Sequence, residues 1–383
     1  IGLSGLLVKS AQQMVTTAQD LKTAGINVPI LVGGAALTRK FTETRIAPEY
    51  DGLVLYSKDA MNGLELANKL MNPKEYAVLE KAAKAKGQEQ VAATTEVKEV
   101  MVDISAPKRS DVSVNAPVFI PPDFERHVLR DYPLTHLQPY VNLRMLLGKH
   151  LGVRGNVEKL LAEGDPKTVE VKQIVDELLA EAKKTGLIKA QGVYRFFPAQ
   201  SKGEEIHIYD PNDSSNVLKT FRFPRQKKAP YLCLADFVKP TESGVMDYVA
   251  FLVVTAGEGI REKAEEWKEK GDYLRSHVLQ ALALELAEAF AERLHHILRD
   301  VWGFPDPANM TMQERFGARY QGLRVSFGYP ACPDLEDQKL LFDLLRPEDI
   351  GVQLTDGCMM EPEASVSAMV FSHPEARYFN ADE

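Results

Sequence analysis

Ile206-His207-Ile208-Tyr209-Asp210-Pro211-Asn212-Asp213-Ser214-Ser215-Asn216-Val217-Leu218-Lys219-Thr220-Phe221-Arg222-Phe223 reads as two short strands and a turn. β-branched and aromatic residues recur at the two-residue period of a half-buried strand. Between them, residues 211–215 hold the Pro, Asn, Asp and Ser that bend a chain. The spacing predicts an antiparallel hairpin of 206–209 with 217–223. Outward from it, 231–237 and 248–254 read as further strands, with 352–354 and 365–372 as late ones. Three helices are expected among them. Asp165-Pro166, apolar positions from Val169 to Leu179, and Gly186 mark a capped helix. Residues 273–301 form a long pattern with a wide apolar arc, as in a helix buried between layers. Residues 336–345 form a shorter one. The order lacks regular β-α-β alternation, so the class is α+β with an antiparallel sheet and long helices.

The first 85 residues read differently. Residues 1–3 look like the end of a strand. A helix follows, opened by Ser10 and Gln13 as a capping box and stopped by Gly25. Residues 29–32 and 53–56 are further strands, and Asp59 caps a helix carrying Leu64, Ala67, Leu70 and Met71. Strands separated by helices give a parallel sheet, a partial α/β Rossmann-like domain. Ligands bind such sheets outside the carboxyl ends of the strands. That edge holds Ser4-Gly5, Gly33-Gly34 and residues 57–60, all small or hydroxyl except Lys58 and Asp59. Gly33-Gly34 also fits an ordinary tight turn, and no G-x-G-x-x-G is present. Residues 75–86 are a short charged helix pattern. Apolar density then falls, and 86–103 read as a solvated linker. The organisation is therefore multidomain: 1–85, a linker at 86–103, and 104–383.

The chain has 383 residues and a formal charge of −8, with a pI near 5.6. That balance argues against a general nucleic-acid binder. Cys233, Cys332 and Cys358 form no C-x-x-C pair, which disfavours disulfide scaffolds and structural zinc. No apolar run reaches the roughly 18 residues of a membrane span, and no signal peptide opens the chain. A cytoplasmic setting is expected. The opening Ile1-Gly2-Leu3-Ser4, without an initiator Met, reads as part of something longer.

Several polar residues stand out. Asp236 sits in the apolar run 231–238 and needs a partner, either a ligand ammonium or a strand-end cap. Glu288 and Glu292 lie one turn apart on the long helix, the spacing of solvated carboxylates as much as of a site. His295-His296 lacks the spacing of a metal pair. Tyr378-Phe379 fits a core aromatic pair. The run Arg324-Val325-Ser326-Phe327-Gly328-Tyr329-Pro330-Ala331-Cys332-Pro333 combines a planar cation, a permissive glycine, a phenol and two rigid prolines. Such parts suit a pocket for an amino-acid-like ligand with a cationic centre.

The Arg324 motif, Cys233-Leu234-Ala235-Asp236-Phe237, Ala287-Glu288-Ala289-Phe290-Ala291-Glu292, Tyr320-Gln321-Gly322 and Ala364-Ser365-Val366-Ser367 with Phe371-Ser372-His373-Pro374 resemble, in order, the reactivation domain of cobalamin-dependent methionine synthase. Gly2-Leu3-Ser4-Gly5-Leu6 and Gly33-Gly34-Ala35 resemble the second half of that family's cobalamin-binding domain. The resemblance implies S-adenosylmethionine (AdoMet) contacts at Asp236, Arg324, Tyr329, Ala331, Tyr378 and Phe379. It implies Tyr329 and Glu288 near the methyl-transfer site, with no side-chain acid or base. It implies cobalamin tail contacts at Ser4, Gly33, Gly34 and Ala60. The family's Asp-x-His-x-x-Gly loop, whose His ligates cobalt, would precede Ile1, so no metal ligand is expected in this chain. The implied reaction is reductive methylation: an electron reduces cob(II)alamin to cob(I)alamin, which takes the methyl of AdoMet to give methylcobalamin and S-adenosylhomocysteine. The donor would be a flavodoxin or flavoprotein reductase. Homocysteine and folate modules, with their zinc, would lie upstream. Two other readings are a non-catalytic cobalamin carrier or regulator, and a reductase-docking module.

Overall fold

The computed structural model describes residues 1–5, 8–34, 37–58, 60–81, 83 and 109–381. The expected linker and the Asp59 cap lie outside these residues. The chain divides into two compact units, Ile1–Pro107 and Lys108–Glu383.

The first unit carries three parallel strands in the order β1 (Gly2–Ser4), β2 (Ile30–Gly33) and β3 (Val54–Tyr56). The helix Val8–Thr23 packs Ala11, Met14, Val15 and Ala18 into the core with Ile30 and Val32. Those four positions are one helical face. The helix begins two residues before Ser10, so Ser10 sits in its first turn and the expected capping box is not its start. A second helix spans Ala60–Met71, and residues 73–81 are helical. At the carboxyl edge, Gly5 N–H donates to the Gly33 carbonyl at 2.9 Å. Gly34 has φ +111°, and a Cβ there would stand 2.3 Å from the Gly5 carbonyl oxygen. Gly34→Ala should therefore loosen this edge by about 1–3 kcal/mol. Amide exchange at residues 30–33 should accelerate roughly tenfold or more, and unchanged protection there would refute it.

The second unit is built on a seven-stranded sheet. Its path runs β7 (Asp213–Arg222), β6 (Glu205–Asp210), β5 (Gln191–Lys202), β8 (Asp247–Thr255), β12 (Ser365–Phe371), β9 (Leu323–Val325), with β4 (His127–Leu129) also on β5. Every pairing is antiparallel. The remaining strands, β10 (Gln353–Leu354) and β11 (Met360–Glu361), form a separate ribbon. The hairpin is where the sequence places it, but its turn is tighter. Asp210 pairs Asp213, and the register shifts on either side of Tyr209.

Both faces of the sheet are covered, so β8 is apolar without a break from Val249 to Val254. Ala250, Leu252 and Val254 face one core, shared with the long helix Tyr273–Trp302. Val249, Phe251 and Val253 face the other, with Phe221, Cys233 and Phe327. Alternation along the strand assigns the faces. The long helix is bounded as its sequence suggests, by the Asp272 side chain at its start and Gly303, φ 97°, at its end. The helix Pro166–Thr185 likewise starts on Asp165, which accepts from Thr168 N–H, and stops at Gly186.

Two expectations change. Residues 231–237 are not a strand. Leu234–Phe237 is a 3-10 turn, closed by Asp236 N–H to the Cys233 carbonyl at 3.0 Å. A short apolar run buried on every side has no periodicity to tell strand from turn. Conversely, β5 is the centre of the sheet and was not expected, because Gly192 and Pro198 interrupt its pattern. Gly192 has a packing reason: a Cβ there would meet Phe290 Cζ at 3.1 Å and Val254 Cγ1 at 3.2 Å. Both neighbours are fully buried. Gly192→Ala should cost about 1–3 kcal/mol by overpacking, read as a lower melting temperature; an unchanged or raised one would contradict it.

Candidate functional site

The site lies where the long helix crosses the edge strand β9. In β9, Leu323 and Val325 enter the core opposite the helix, opposite Phe371 and Met369 in register. Arg324 lies between them and pairs Val370, whose side chain is in the helix-side core. The two-residue period thus turns one guanidinium towards the helix. Glu292 stands 3.6 Å from Arg324 Nη2, and Glu288 3.9 Å from Nη1. Both distances exceed a hydrogen bond.

After β9 the chain doubles back. Gly328, at φ 88°, permits the bend. Gly328 N–H donates to the Cys332 carbonyl and Cys332 N–H to the Tyr329 carbonyl, each at 2.9 Å. The Cys332 thiol donates to the Ser326 carbonyl at 2.8 Å. Tyr329-Pro330-Ala331 is held as a rigid tip by these bonds. From the C-terminal segment, the Tyr378 hydroxyl donates to the Arg324 carbonyl at 2.8 Å. Phe379 packs edge-on against Phe237.

These elements enclose an open cavity of about 460 Å³. Its walls include Glu288, Arg324, Tyr329, Ala331, Tyr378 and Phe379, completed by Val325, Ser326 and Pro330. Tyr329 and Tyr378 are well exposed at 41% and 55%, so ring surface is offered to whatever enters.

Arg324 is the unusual member. Its side chain is 12% exposed, yet its buried Nε has no hydrogen-bond partner. Burial alone would weaken its charge, but Glu288 and Glu292 outweigh that and hold the guanidinium protonated. Burial pushes the Glu292 carboxyl up, against the pull of Arg324 and Arg299. Its Oε1 also lacks a partner. Behind them Arg299, fully buried, makes a bidentate pair with Asp306, and its guanidinium lies 3.8 Å from the Tyr320 ring centroid. His295 is wholly buried and held neutral, chiefly by burial.

Asp236 is not among the cavity residues. Its side chain is 0% exposed, and its two oxygens accept from Arg225 at 2.5 and 3.0 Å. Ser110 N–H adds a third bond at 3.2 Å. The carboxylate has the partner that its burial demands, and the structure does not bring it to Arg324. Arg225 and Arg109, which surround it, sit in irregular segments 11 and 127 residues before it and carry no motif of their own. In the first unit, Ser4 and Gly34 are exposed and Gly33 is half-buried at the sheet's carboxyl edge. Ala60 opens the second helix. Among the described residues no group of three or more His, Cys, Asp or Glu is placed to hold a metal, and no helix is long and apolar enough to cross a membrane.

Residues 133–383 match the family described as vitamin B12 dependent methionine synthase, activation domain. The chain belongs to that family. It is 34% identical to methionine synthase of Mycobacterium tuberculosis over an alignment of 419 positions, covering 99% of the chain. It is 31% identical to methionine synthase of Mycobacterium leprae over the same span. In both cases the aligned part is 34% of the relative, so the chain spans about a third of their length. A crystal structure of the MetH reactivation domain bound to S-adenosylhomocysteine (AdoHcy) superimposes with a TM-score of 0.64 at 30% identity. It covers 70% of this chain and 83% of that one. The resemblance read from the motifs is thereby shown, and the antiparallel sheet with its helices is that of the activation domain.

Proposed function

We propose that the cavity binds AdoMet as methyl donor for reductive methylation of cobalamin. The observation that carries this reading is Arg324: a charged, buried guanidinium on a cavity wall, with no carboxylate at hydrogen-bond distance. A ligand carboxylate satisfies its fork. Tyr329, Tyr378 and Phe379 supply flat apolar surface for the nucleoside, and the rigid Tyr329–Ala331 tip fixes where it lies. Asp236, committed to Arg225, supports this wall through Phe237 and Phe379 rather than reaching the ligand. The protein's share of the reaction is placement of the sulfonium methyl, and placement alone accounts for large rate factors.

Cobalamin, when bound, supplies a reduced cobalt nucleophile, so no general base is needed. Ser4, Gly33, Gly34 and Ala60 would hold its tail; the open, small-residue edge of the parallel sheet suits close approach. Gly34 is already required by its contact with Gly5, and a Cβ at Gly33 would stand 3.1 Å from the Ser57 carbonyl oxygen, so packing alone accounts for both glycines. The first 126 residues contain no histidine, so none of the first unit can ligate the cobalt as histidine. The electron would come from a flavodoxin or flavoprotein reductase. Methyl transfer from folate to homocysteine, the activity of the whole enzyme, would need modules outside this span.

Equilibrium dialysis of methyl-labelled AdoMet against the full chain tests the reading. Saturable binding of one equivalent, without cobalamin, is expected. No binding to folded protein would overturn it.

A further inference from the structure

Arg324 faces two carboxylates of different character. Glu292 is 10% exposed and is the nearer, at 3.6 Å. Glu288 is 50% exposed and lies on the cavity wall, at 3.9 Å. Arg299 and Arg315, behind the cavity, both bond to the buried Asp306. Of the two carboxylates that face Arg324, Glu292 is shut in behind it and Glu288 is the one open to a ligand. Glu288 and Arg324 are the charged side chains on that wall.

The methyl donor and its demethylated product share every group but one. In both, the amino-acid carboxylate and ammonium cancel as a zwitterion. AdoMet carries in addition a sulfonium, whereas AdoHcy has a neutral thioether. The additional charge of the donor is thus opposite in sign to the exposed carboxylate on the wall.

Resting on the methyl-donor reading above, we propose that Glu288 is a specificity-determining residue: it selects the sulfonium form and lets the spent thioether go. A single charge pair across a partly solvated cavity changes affinity by about three- to tenfold. That is modest for binding and sufficient to favour donor over product when both are present. Glu288 exchanges no proton and makes no covalent bond in this role.

Calorimetric titration of AdoMet and AdoHcy into the full chain and into Glu288→Gln tests it. A third ligand, the analogue with a protonated amine on carbon in place of the sulfonium, separates charge from the methyl group. The wild-type chain should bind AdoMet and the cationic analogue about three- to tenfold more tightly than AdoHcy. In Glu288→Gln that preference should fall to near unity, with AdoHcy affinity little changed. A preference that survives the substitution overturns the inference and leaves the methyl-donor reading intact. Equal weakening of all three ligands also overturns it, since Glu288 would then grip the shared ammonium. Failure of every ligand to bind the wild-type chain removes both readings.

Discussion

Arg324→Ala will weaken AdoMet binding roughly ten- to a hundredfold. A bidentate guanidinium–carboxylate pair contributes on the order of 1.5–3 kcal/mol, and every 1.4 kcal/mol is about tenfold in affinity. Arg324→Lys keeps the charge beside Glu292 but loses the planar fork, so its affinity should fall between wild type and alanine. Stability has to be followed as well. Without Arg324 the buried Glu292 carboxylate loses its nearest cation, and its pKa, already raised by burial, rises further. The sign follows from linkage. A carboxyl whose pKa is raised in the folded state costs most where the unfolded chain is ionised, so the penalty grows as pH climbs above the ordinary carboxylate range. Arg324→Ala should therefore melt lower at pH 8 than at pH 5 relative to wild type. The lysine variant should show much less of this and so isolates the ligand effect. Titration of AdoMet into the three proteins at pH 7 is the measurement. Equal affinities across the series would remove Arg324 from the site.

Asp236→Ala should be the most damaging substitution for the second unit. It leaves Arg225, 11% exposed, and Arg109, 23% exposed, without their shared carboxylate. Breaking a buried pair by removing one partner costs about 3–5 kcal/mol, because the remaining charge stays buried. In a unit of this size that is on the order of 10 °C in melting temperature. Asp236→Asn keeps the volume but not the charge and should lose a similar amount. Replacing Asp236 and Arg225 together by leucine and methionine should lose less than Asp236→Ala alone, since no charge is stranded between them. A melting temperature within about 2 °C of wild type for Asp236→Ala would show that the pair carries no structural weight.

Much of this protein was legible before any coordinates. Caps announced the ends of the helices at Asp165 and Gly186, and the long helix declared itself by its apolar arc. These features depend on neighbours a few residues away, and local sequence encodes them directly. The Arg324 motif was legible for the same reason: glycine and prolines fix a turn within ten residues, and the cation beside it is unpaired in sequence. Five of the six AdoMet contacts implied for the second unit do meet at one cavity, with Glu288 beside them.

The tertiary structure decided what adjacency along the chain cannot. Strand β5 was hidden because Gly192 exists to admit Phe290, a partner nearly a hundred residues away. Residues 232–237 are buried without alternation, so no period betrayed the turn. The partners of Asp236 were not legible because Arg225 and Arg109 sit in irregular segments, 11 and 127 residues before it, with no periodicity to aim them. The Glu288–Arg324–Glu292 arrangement needed the register of β9 on β12 and the crossing of the long helix over that edge. Sequence determined the pieces and their caps through short-range sterics and hydrogen bonding. Which charges face each other followed only from strand order and helix placement, because burial brings together groups that the chain keeps far apart.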